Sequence, residues 1–375
     1  MSSNRILWRI ICLLCAAALA AGGWALLPER REPQTSAEAE EQKRAEAFRG
    51  TITVWHISQW RTGGVNASAL LSAVLDQMEG RNPGVYFTLE TLDPQQAGQR
   101  MAQGESPDIL SFPGGIPLPM QEAWQALDCD RLLPCYQAYV GEESSFLPWI
   151  ASDAKVMIRD TSLAAQKLSA PGDGWTLQEM IDLASALTYQ TKGKNSQTVY
   201  GIAAALGRWP ALEDWGIAAD AILPGEYSER EAWDQLVEGN VSMLIAGPWE
   251  EMTLAWRQQE DRGPQLTVLE WPQELPRLRS VQWIGAKQSG DSQKDEICRK
   301  TITQLLSASS QKKVITQAKC LPCVSFTTDE LGDVVAPMEQ GSILYALPNR
   351  EILTQGEWPQ EDGWGVDQGV YLWKP

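Results

Sequence analysis

The sequence contains a single histidine, His56. One imidazole excludes metal centres that need several histidines, and any histidine-based acid–base chemistry would depend on that residue alone. The P-loop of nucleotide-binding proteins, the GxSxG motif, the HExxH motif and the EF-hand pattern are absent as well. The sequence therefore predicts no metal or organic cofactor.

Basic residues are scarce. The chain has 31 Lys and Arg against 48 Asp and Glu, which gives a net charge of −17. A surface this acidic repels phosphate backbones, so a nucleic-acid partner is not predicted. The hydrophobic fraction of 43% and the charged fraction of 21% are typical of folded globular proteins. The length of 375 residues favours about two domains.

Long hydrophobic runs are also scarce, and one strongly apolar segment stands near the amino end. Residues 1–27 carry Arg5 and Arg9 before an uncharged stretch that begins at residue 10. This pattern predicts either a signal peptide, cleaved near the small residues at 18–20, or a short membrane anchor. Basic residues on the short leading side place the rest of the chain outside the membrane. We therefore expect an extracytoplasmic protein, anchored at the cell membrane or secreted.

The leading segment lacks the pattern of a lipoprotein signal. Such a signal needs a small residue before the modified cysteine, but Cys12 follows isoleucine and Cys15 follows leucine. Residues 28–49 are rich in Glu, Ala, Arg and Gln, and they predict a charged tether.

Five cysteines lie beyond the leading segment, an odd number that leaves at least one unpaired within the chain. Cys320 and Cys323 have the spacing of a redox pair. The run before them is helical in pattern and the run after them is extended, the reverse of a thioredoxin-like site. A structural pair, or a bridge to Cys298, is therefore favoured over redox chemistry. Cys129 and Cys135 could close a local loop.

Strand and helix patterns alternate along the chain. Strands are predicted at 51–55, 85–89 and 107–112, with a helix at 69–78, and this alternation indicates a parallel α/β sheet. Thr176 and Glu179 form a capping box that begins a helix. Further strands are predicted at 155–158, 200–203, 241–245 and 281–286, and further helices at 230–238 and 295–307.

Several motifs occur in an order that resembles one protein family. They are the strand Ile52-Thr53-Val54-Trp55-His56, the turn Asn82-Pro83-Gly84-Val85, the strand Ser106-Pro107-Asp108-Ile109, the run Phe146-Leu147-Pro148, the helix start Trp175-Thr176-Leu177-Gln178-Glu179, the strand ending Gly247-Pro248-Trp249, and residues 309–322. Together they resemble the extracellular solute-binding proteins of sugar-type ABC transporters, which include the maltodextrin-binding proteins.

This resemblance implies an α/β, two-lobe periplasmic-binding-protein-like (type II) fold with discontinuous lobes and a cleft between them. Lobe 1 is expected at 50–146 plus 280–318, and lobe 2 at 147–279 plus 319–375. The implied function is capture of a carbohydrate in the cleft by hinge closure, without enzymatic chemistry. The implied partners are a sugar or oligosaccharide ligand, an ABC permease in the membrane, and the membrane itself through the amino-terminal segment.

The resemblance also predicts ligand-binding residues, because ligands of such folds lie at the carboxyl ends of strands. Aromatic rings suit the faces of a sugar, and amides, carboxylates and guanidinium groups suit its hydroxyl edges. The 17 tryptophans offer many candidate platforms, although tryptophan packs into cores as readily. The predicted site residues are Gln59, Trp60, Phe112, Asp153, Arg208, Trp209, Trp249 and Glu250. Of these, Trp249 and Glu250 are expected to follow a Gly-Pro turn at the end of strand 241–245.

Two alternative functions stay open. The first is a membrane-tethered sensor or a degenerate binding domain without a transport role. A retained amino-terminal helix and a short second lobe would favour it. The second is a thiol oxidoreductase that uses Cys320 and Cys323, which the helix-before, strand-after context disfavours.

Overall fold

The computed structural model of the protein describes residues 48–330 with short breaks. The breaks lie at 115, 117, 119–122, 138–139, 141–143, 194–195, 206–211, 261–262, 273–278 and 328. The predicted leading segment, residues 1–27, and almost all of the predicted tether, residues 28–49, lie outside the described residues. In the described part of the chain, no helix is both long and apolar enough to cross a membrane.

The described strands form two five-stranded sheets. The first sheet has the order β2-β1-β3-β10-β4, and the second has the order β6-β7-β8-β5-β9. The strands are β1 (Gly50–Ile57), β2 (Val85–Leu92), β3 (Ile109–Pro113), β4 (Phe146–Asp153), β5 (Lys155–Arg159), β6 (Tyr189–Gln190), β7 (Thr198–Ala204), β8 (Val241–Ala246), β9 (Leu266–Glu270) and β10 (Arg279–Ala286).

Both sheets are mixed rather than parallel, which corrects the sequence-based expectation. β1 pairs in parallel with β2 and β3, and β7 pairs in parallel with β8. β6 and β7 form a short antiparallel pair, and the other antiparallel pairs involve the strands at the crossings between the sheets. β4 and β10 pair with antiparallel geometry in the first sheet, and β5 pairs that way with β8 and β9 in the second. These strands are not joined by a helical crossover, so nothing forces them to run parallel.

The chain passes from the first sheet to the second through one residue. β4 ends at Asp153 and β5 begins at Lys155, so only Ala154, 1% exposed, lies between them. The chain returns between β9 and β10, and Leu321 then pairs with Ala151 of β4. The first lobe is therefore discontinuous in sequence, whereas the described strands of the second sheet all come from one continuous stretch, residues 155–270.

The predicted lobe boundary at residues 146 and 147 falls at the start of β4. This strand carries Pro148, and a run with proline resembles a connection rather than a strand. The structure places β4 at the edge of the first sheet, where proline is tolerated, and the register shifts at Gln282 and Trp283, opposite this proline. β4 therefore belongs to the first sheet, together with Leu321.

Nine described α-helices cover the sheets. They are α1 (Ala67–Arg81), α2 (Pro94–Ala102), α3 (Pro134–Gln137), α4 (Asp160–Gln166), α5 (Leu177–Ala186), α6 (Glu229–Glu238), α7 (Pro248–Gln259), α8 (Ser292–Leu305) and α9 (Ala308–Lys313). A 3₁₀ helix spans Leu212–Trp215, and a π-helical turn spans Val314–Ala318. The capping box predicted at Thr176 and Glu179 is confirmed at the start of α5.

The second sheet is covered on both faces. One face packs against Met180, Leu183 and Ala184 of α5, and the other packs against Trp233 and Leu236 of α6. Every residue of β8 is buried as a consequence. A strand with two covered faces reads as a continuous apolar run, which is why the sequence predicted β8 well.

Candidate ligand-binding site

Two adjoining cavities lie between the lobes. The larger cavity, of about 690 Å³, is lined from the first lobe by His56, Ser58, residues 60–64, residues 66–68 and Thr91, and from the second lobe by one face of α7. The smaller cavity, of about 480 Å³, is lined by residues 58–61 and by residues 226–231 at the start of α6. Trp60 and Arg61 line both cavities. Together they form an interlobe site to which both lobes contribute.

The loop of residues 58–66, between β1 and α1, lies at the centre of this site. Its path is fixed by two backbone hydrogen bonds, from the Gly64 amide to the Ala318 carbonyl at 3.0 Å and from the Val65 amide to the Gln317 carbonyl at 2.9 Å. A Cβ atom on Gly64 would lie 2.1 Å from the Gln317 oxygen. Glycine is therefore required where the loop meets the π-helical turn.

Arg61 joins the loop to the second lobe in two ways. Its backbone amide donates a hydrogen bond of 2.9 Å to Oε2 of Glu229, at the start of α6. Its guanidinium carbon lies 5.1 Å from the centre of the Trp249 ring on α7, a cation–π distance. Trp249 also packs edge-to-face against Trp233, with ring centres 6.3 Å apart. The Trp249 ring on the second lobe thus contacts the guanidinium of Arg61 on the first lobe.

His56 lies at the end of β1, where a buried polar network fixes its tautomer. Ser111 Oγ accepts hydrogen bonds of 3.1 Å from Trp149 Nε1 and from Gln282 Nε2. A hydroxyl has two lone pairs and one hydrogen, so the Ser111 hydrogen is left to donate to His56 Nδ1, 3.1 Å away. Nδ1 is then an acceptor, and the proton of the neutral ring is assigned to Nε2.

Burial keeps this imidazole neutral. His56 is 3% exposed, and desolvation lowers its pKa from 6.5 to about 4. At neutral pH, His56 therefore presents a donor N–H to the larger cavity without a positive charge.

Helix α1 opens onto the same cavity. Its N-cap residue, Asn66, makes no side-chain capping bond, and its first turn contains no acidic residue. Ala67 and Ser68, the first two residues of α1, line the cavity. The amide groups of a first helical turn have no partner within the helix and carry the positive end of its dipole.

Three predicted site residues line the cavities. Trp60 lines both, Trp249 lines the larger, and Gln59 lines the smaller. The sequence analysis expected Trp249 on a turn after the strand. The structure instead makes it the second residue of α7. Proline at the first position of a helix is common, and Pro248 occupies that position here.

Three further predicted residues lie elsewhere. Phe112 is 1% exposed and packs edge-to-face on Phe146, with ring centres 5.1 Å apart, in the core of the first lobe. Glu250 is 1% exposed, and its carboxylate accepts a 2.9 Å bond from the Gly247 amide at the start of α7. Asp153 ends β4 beside the crossing at Ala154. None of the three is among the residues that line the two described cavities. Arg208 and Trp209 lie outside the described residues.

Sequence reasoning missed the exposed side of α7. Trp256 is 58% exposed and lines the larger cavity with Met252 and Thr253. With Trp249, these residues are spaced three, four and seven positions apart, which places them on one helical face. If residues 248–259 had been recognised as a helix, this spacing would have predicted that the four side chains share one face.

Cys298, Cys320 and Cys323 are buried, whereas Cys129 is partly exposed. Cys320 and Cys323 are 1% and 0% exposed, after the π-helical turn and before the bridge between Val324 and Leu132. Cys298 is a free thiol in the structure, and burial raises its pKa to about 12. The expected alternative of a bridge to Cys298 is therefore wrong. Cys129 is also a free thiol, so the expected local loop closed with Cys135 is absent.

The fold is that of a two-lobe periplasmic binding protein. A structure of the GacH receptor of Streptomyces glaucescens, crystallised unliganded and with acarbose, matches with a TM-score of 0.50 and 15% identity over 76% of this chain and 82% of that one. The cyclic α-maltosyl-1,6-maltose binding protein of Arthrobacter globiformis matches at 0.51 and 11% identity over 80% and 86%. The maltose/maltodextrin-binding domain MalE of Bdellovibrio bacteriovorus, bound to maltotriose, matches at 0.50 and 15% identity over 81% and 89%.

The family follows from the sequence itself. Residues 63–311, about two thirds of the chain, match the family model of bacterial extracellular solute-binding proteins. The chain belongs to this family, whose members are binding proteins. A comparison with curated proteins finds no relative of similar sequence.

Proposed function

We propose that this protein captures a carbohydrate between its two lobes. The observation that carries the proposal is the larger interlobe cavity, where the exposed ring of Trp256 stands beside Trp249 and Trp60. Flat aromatic rings suit the apolar faces of sugars, and the cavity adds the hydroxyl groups of Ser58, Thr62 and Thr91. Acarbose, cyclic maltosyl-maltose and maltotriose, which the matched structures name, are ligands of this chemical class.

Capture would operate by hinge closure. A saccharide that contacts both the 58–66 loop and α7 binds the closed arrangement better than an open one, and this difference in affinity drives closure. We place the boundary between the lobes at Ala154, with residues 50–153 and 279–327 in lobe 1 and residues 155–270 in lobe 2. Small-angle X-ray scattering with and without saccharide tests this step, and we expect a smaller radius of gyration with ligand. An unchanged radius would contradict closure.

Delivery to a membrane permease is the proposed purpose of capture. Under this proposal the chain works outside the cytoplasm, held by residues 1–27 as an anchor or released after their cleavage as a signal peptide. The charged segment 28–49 would then tether the lobes near an ABC permease. Uptake of a labelled saccharide by cells with and without the gene tests the transport step.

A membrane-tethered sensor is the second candidate. It is favoured by the direct contact between the lobes at Arg61, whose backbone amide donates a hydrogen bond to Glu229. A hydrogen bond made directly between the lobes contributes to their association independently of any saccharide contact. If gene deletion leaves saccharide uptake unchanged but alters the cell's response to that saccharide, the sensor is the better assignment.

A thermal-shift screen of the full-length protein against mono- and oligosaccharides tests the central proposal. A ligand that binds only the folded state raises the melting temperature, because it stabilises that state by RT ln(1 + [L]/Kd). We expect at least one saccharide to do so. If none does, while other small solutes raise the melting temperature, the carbohydrate proposal is wrong.

A further inference from the structure

The larger cavity is rich in groups that stabilise negative charge, although the protein as a whole carries a net charge of −17. Three independent groups contribute: the Arg61 guanidinium, the first turn of α1, and the imidazole of His56. All three come from one stretch of the chain, residues 56–68, which comprises the end of β1, the loop that follows it and the start of α1.

The contribution of His56 is set by the network behind it. Because Ser111 occupies Nδ1, the remaining polar atom of the ring is the donor Nε2–H. Within the described part of the chain, His56 makes no hydrogen bond through Nε2, although the side chain is 97% buried and lines the cavity. Since His56 lines the cavity, this N–H can donate to an acceptor atom supplied by a ligand.

Helix α1 supplies backbone amides in its first turn that its N-cap residue does not hydrogen-bond. The helix is 15 residues long, and the amides of Ala69 and Leu70 bond to the Asn66 carbonyl. No backbone or side-chain acceptor is found for the amides of Ala67 and Ser68 among the described residues. Helix N-termini of this kind bind phosphate and carboxylate groups.

We propose that the larger cavity binds the anionic group of an acidic saccharide, either the carboxylate of a uronic acid or the phosphate of a sugar phosphate. The His56 Nε2–H, the α1 amides and the Arg61 guanidinium would donate to the anionic oxygens, and Trp256 would hold the sugar ring. This inference rests on the proposed carbohydrate function and narrows the ligand class.

The single histidine makes the test direct. In protein labelled with ¹⁵N, one imidazole spin system belongs to His56, so its shifts report on the cavity without assignment. The probes are matched pairs: glucuronate with glucose, galacturonate with galactose, and mannuronate with mannose. Glucose 6-phosphate and inorganic phosphate form separate arms, which distinguish carboxylate from phosphate and sugar from bare anion. Calorimetry of the full-length protein gives the affinities.

Three variants at the start of α1 locate the binding. Ser68→Asp places a carboxylate in the cavity at the helix N-terminus and should abolish binding of the acidic probes. Ser68→Asn, nearly the same size but neutral, should retain it. Ala69→Asp adds the same charge one residue later, at an exposed position that does not line the cavity, and should weaken binding far less than Ser68→Asp.

We expect an acidic probe to bind at least roughly tenfold more tightly than its neutral partner, as charge-assisted hydrogen bonds outweigh neutral ones, and to shift the His56 signals. Equal affinity for acidic and neutral partners would overturn this inference while the carbohydrate function stands. If no acidic probe and no phosphate shifts His56, the anion site itself is refuted. If inorganic phosphate shifts His56 but no saccharide of either kind binds, the anion site survives and the carbohydrate function fails.

Discussion

The two interlobe cavities share Trp60 and Arg61 but differ in the groups that complete them. The larger cavity is completed by donors, at His56 and at the start of α1. The smaller cavity is completed by three carboxylates, Glu226, Glu229 and Glu231, together with Arg230. Neighbouring sites on one loop thus have opposite electrostatic character.

Two of the three carboxylates of the smaller cavity accept hydrogen bonds within the fold. Glu231 forms the capping box of α6 with Ser228, accepting from its amide at 2.8 Å, and backbone and side-chain hydrogen bonds from Ser228 lower the pKa of Glu231. Glu229 accepts the amide of Arg61. The donors of the larger cavity have no such internal partner in the described structure. A charged side chain near a cleft therefore indicates a ligand-binding role only if it is not already hydrogen-bonded within the fold.

Acid should lower the folding stability through the larger cavity, because the buried imidazole of His56 is neutral in the folded state. The pKa of His56 is about 4 in the folded state and about 6.5 when exposed. Between these values the unfolded chain binds more protons, so stability falls as the pH drops from 6.5 to 4, by about 3 kcal/mol at most. Chemical denaturation at pH 7 and pH 4.5 measures the loss. In His56→Gln this component should vanish, and a wild-type stability that does not depend on pH in this window would contradict the assignment.

Gly64→Ala should damage both cavities at once, because they share the 58–66 loop. The added Cβ would lie 2.1 Å from the Gln317 oxygen, and overpacking of this kind costs about 1–3 kcal/mol. Denaturant titration measures the change. Gly80→Ala is the matched control, since its Cβ meets nothing within 4 Å inside α1, and there we expect a small gain in stability. Equal effects of the two substitutions would show that the loop is not held as described.

Trp256→Ala should affect the larger cavity alone. The ring is 58% exposed, so its loss should leave the melting temperature nearly unchanged while weakening saccharide binding by about 1–3 kcal/mol. Tyr86→Ala is the control, because Tyr86 is 62% exposed on β2 and does not line the described cavities. Trp249→Ala should lower both affinity and stability, since that ring also packs on Trp233. Unchanged affinity in Trp256→Ala would refute its role as a platform.

Ser228→Ala should have the smallest effect and should spare the larger cavity. Loss of the cap of α6 costs about 1 kcal/mol. Thr176→Ala removes the corresponding cap of α5, away from both cavities, and should cost a similar amount. Calorimetric melting gives both stabilities. A loss of acidic-saccharide binding in Ser228→Ala, but not in Thr176→Ala, would show that the two cavities act as one site.

Much of the fold was predictable because local signals and tertiary packing agreed. The capping box at Thr176 and the apolar run of β8 each predict an element that packing then buries. The helix α7 was missed because Gly247 and Pro248 also predict a turn. Its helical state depends on packing of Leu254 and Trp249 against the second sheet, which local sequence does not reveal.

The site was less predictable than the fold, because the orientation of a side chain depends on contacts distant in sequence. All five residues of β3 are buried, so no alternation showed that Phe112 faces the core. The role of His56 depends on Ser111, Trp149 and Gln282, which are 38 to 226 residues away from their partners in this network. Such a network cannot be inferred from spacing.

The single residue between β4 and β5 restricts how the lobes can move at this crossing. Ala154 contributes two soft backbone dihedral angles and one Cα–Cα step of about 3.8 Å. Under the proposed hinge closure, the strands on either side would rotate about this pivot, because a single residue leaves no slack with which they could slide past each other. A pure rotation displaces atoms in proportion to their distance from the pivot, so a few degrees at Ala154 become a wide excursion at the rim of the cleft. If the lobes close as proposed, substitutions beside Ala154 would change how far the lobes open without altering the residues that line the two described cavities.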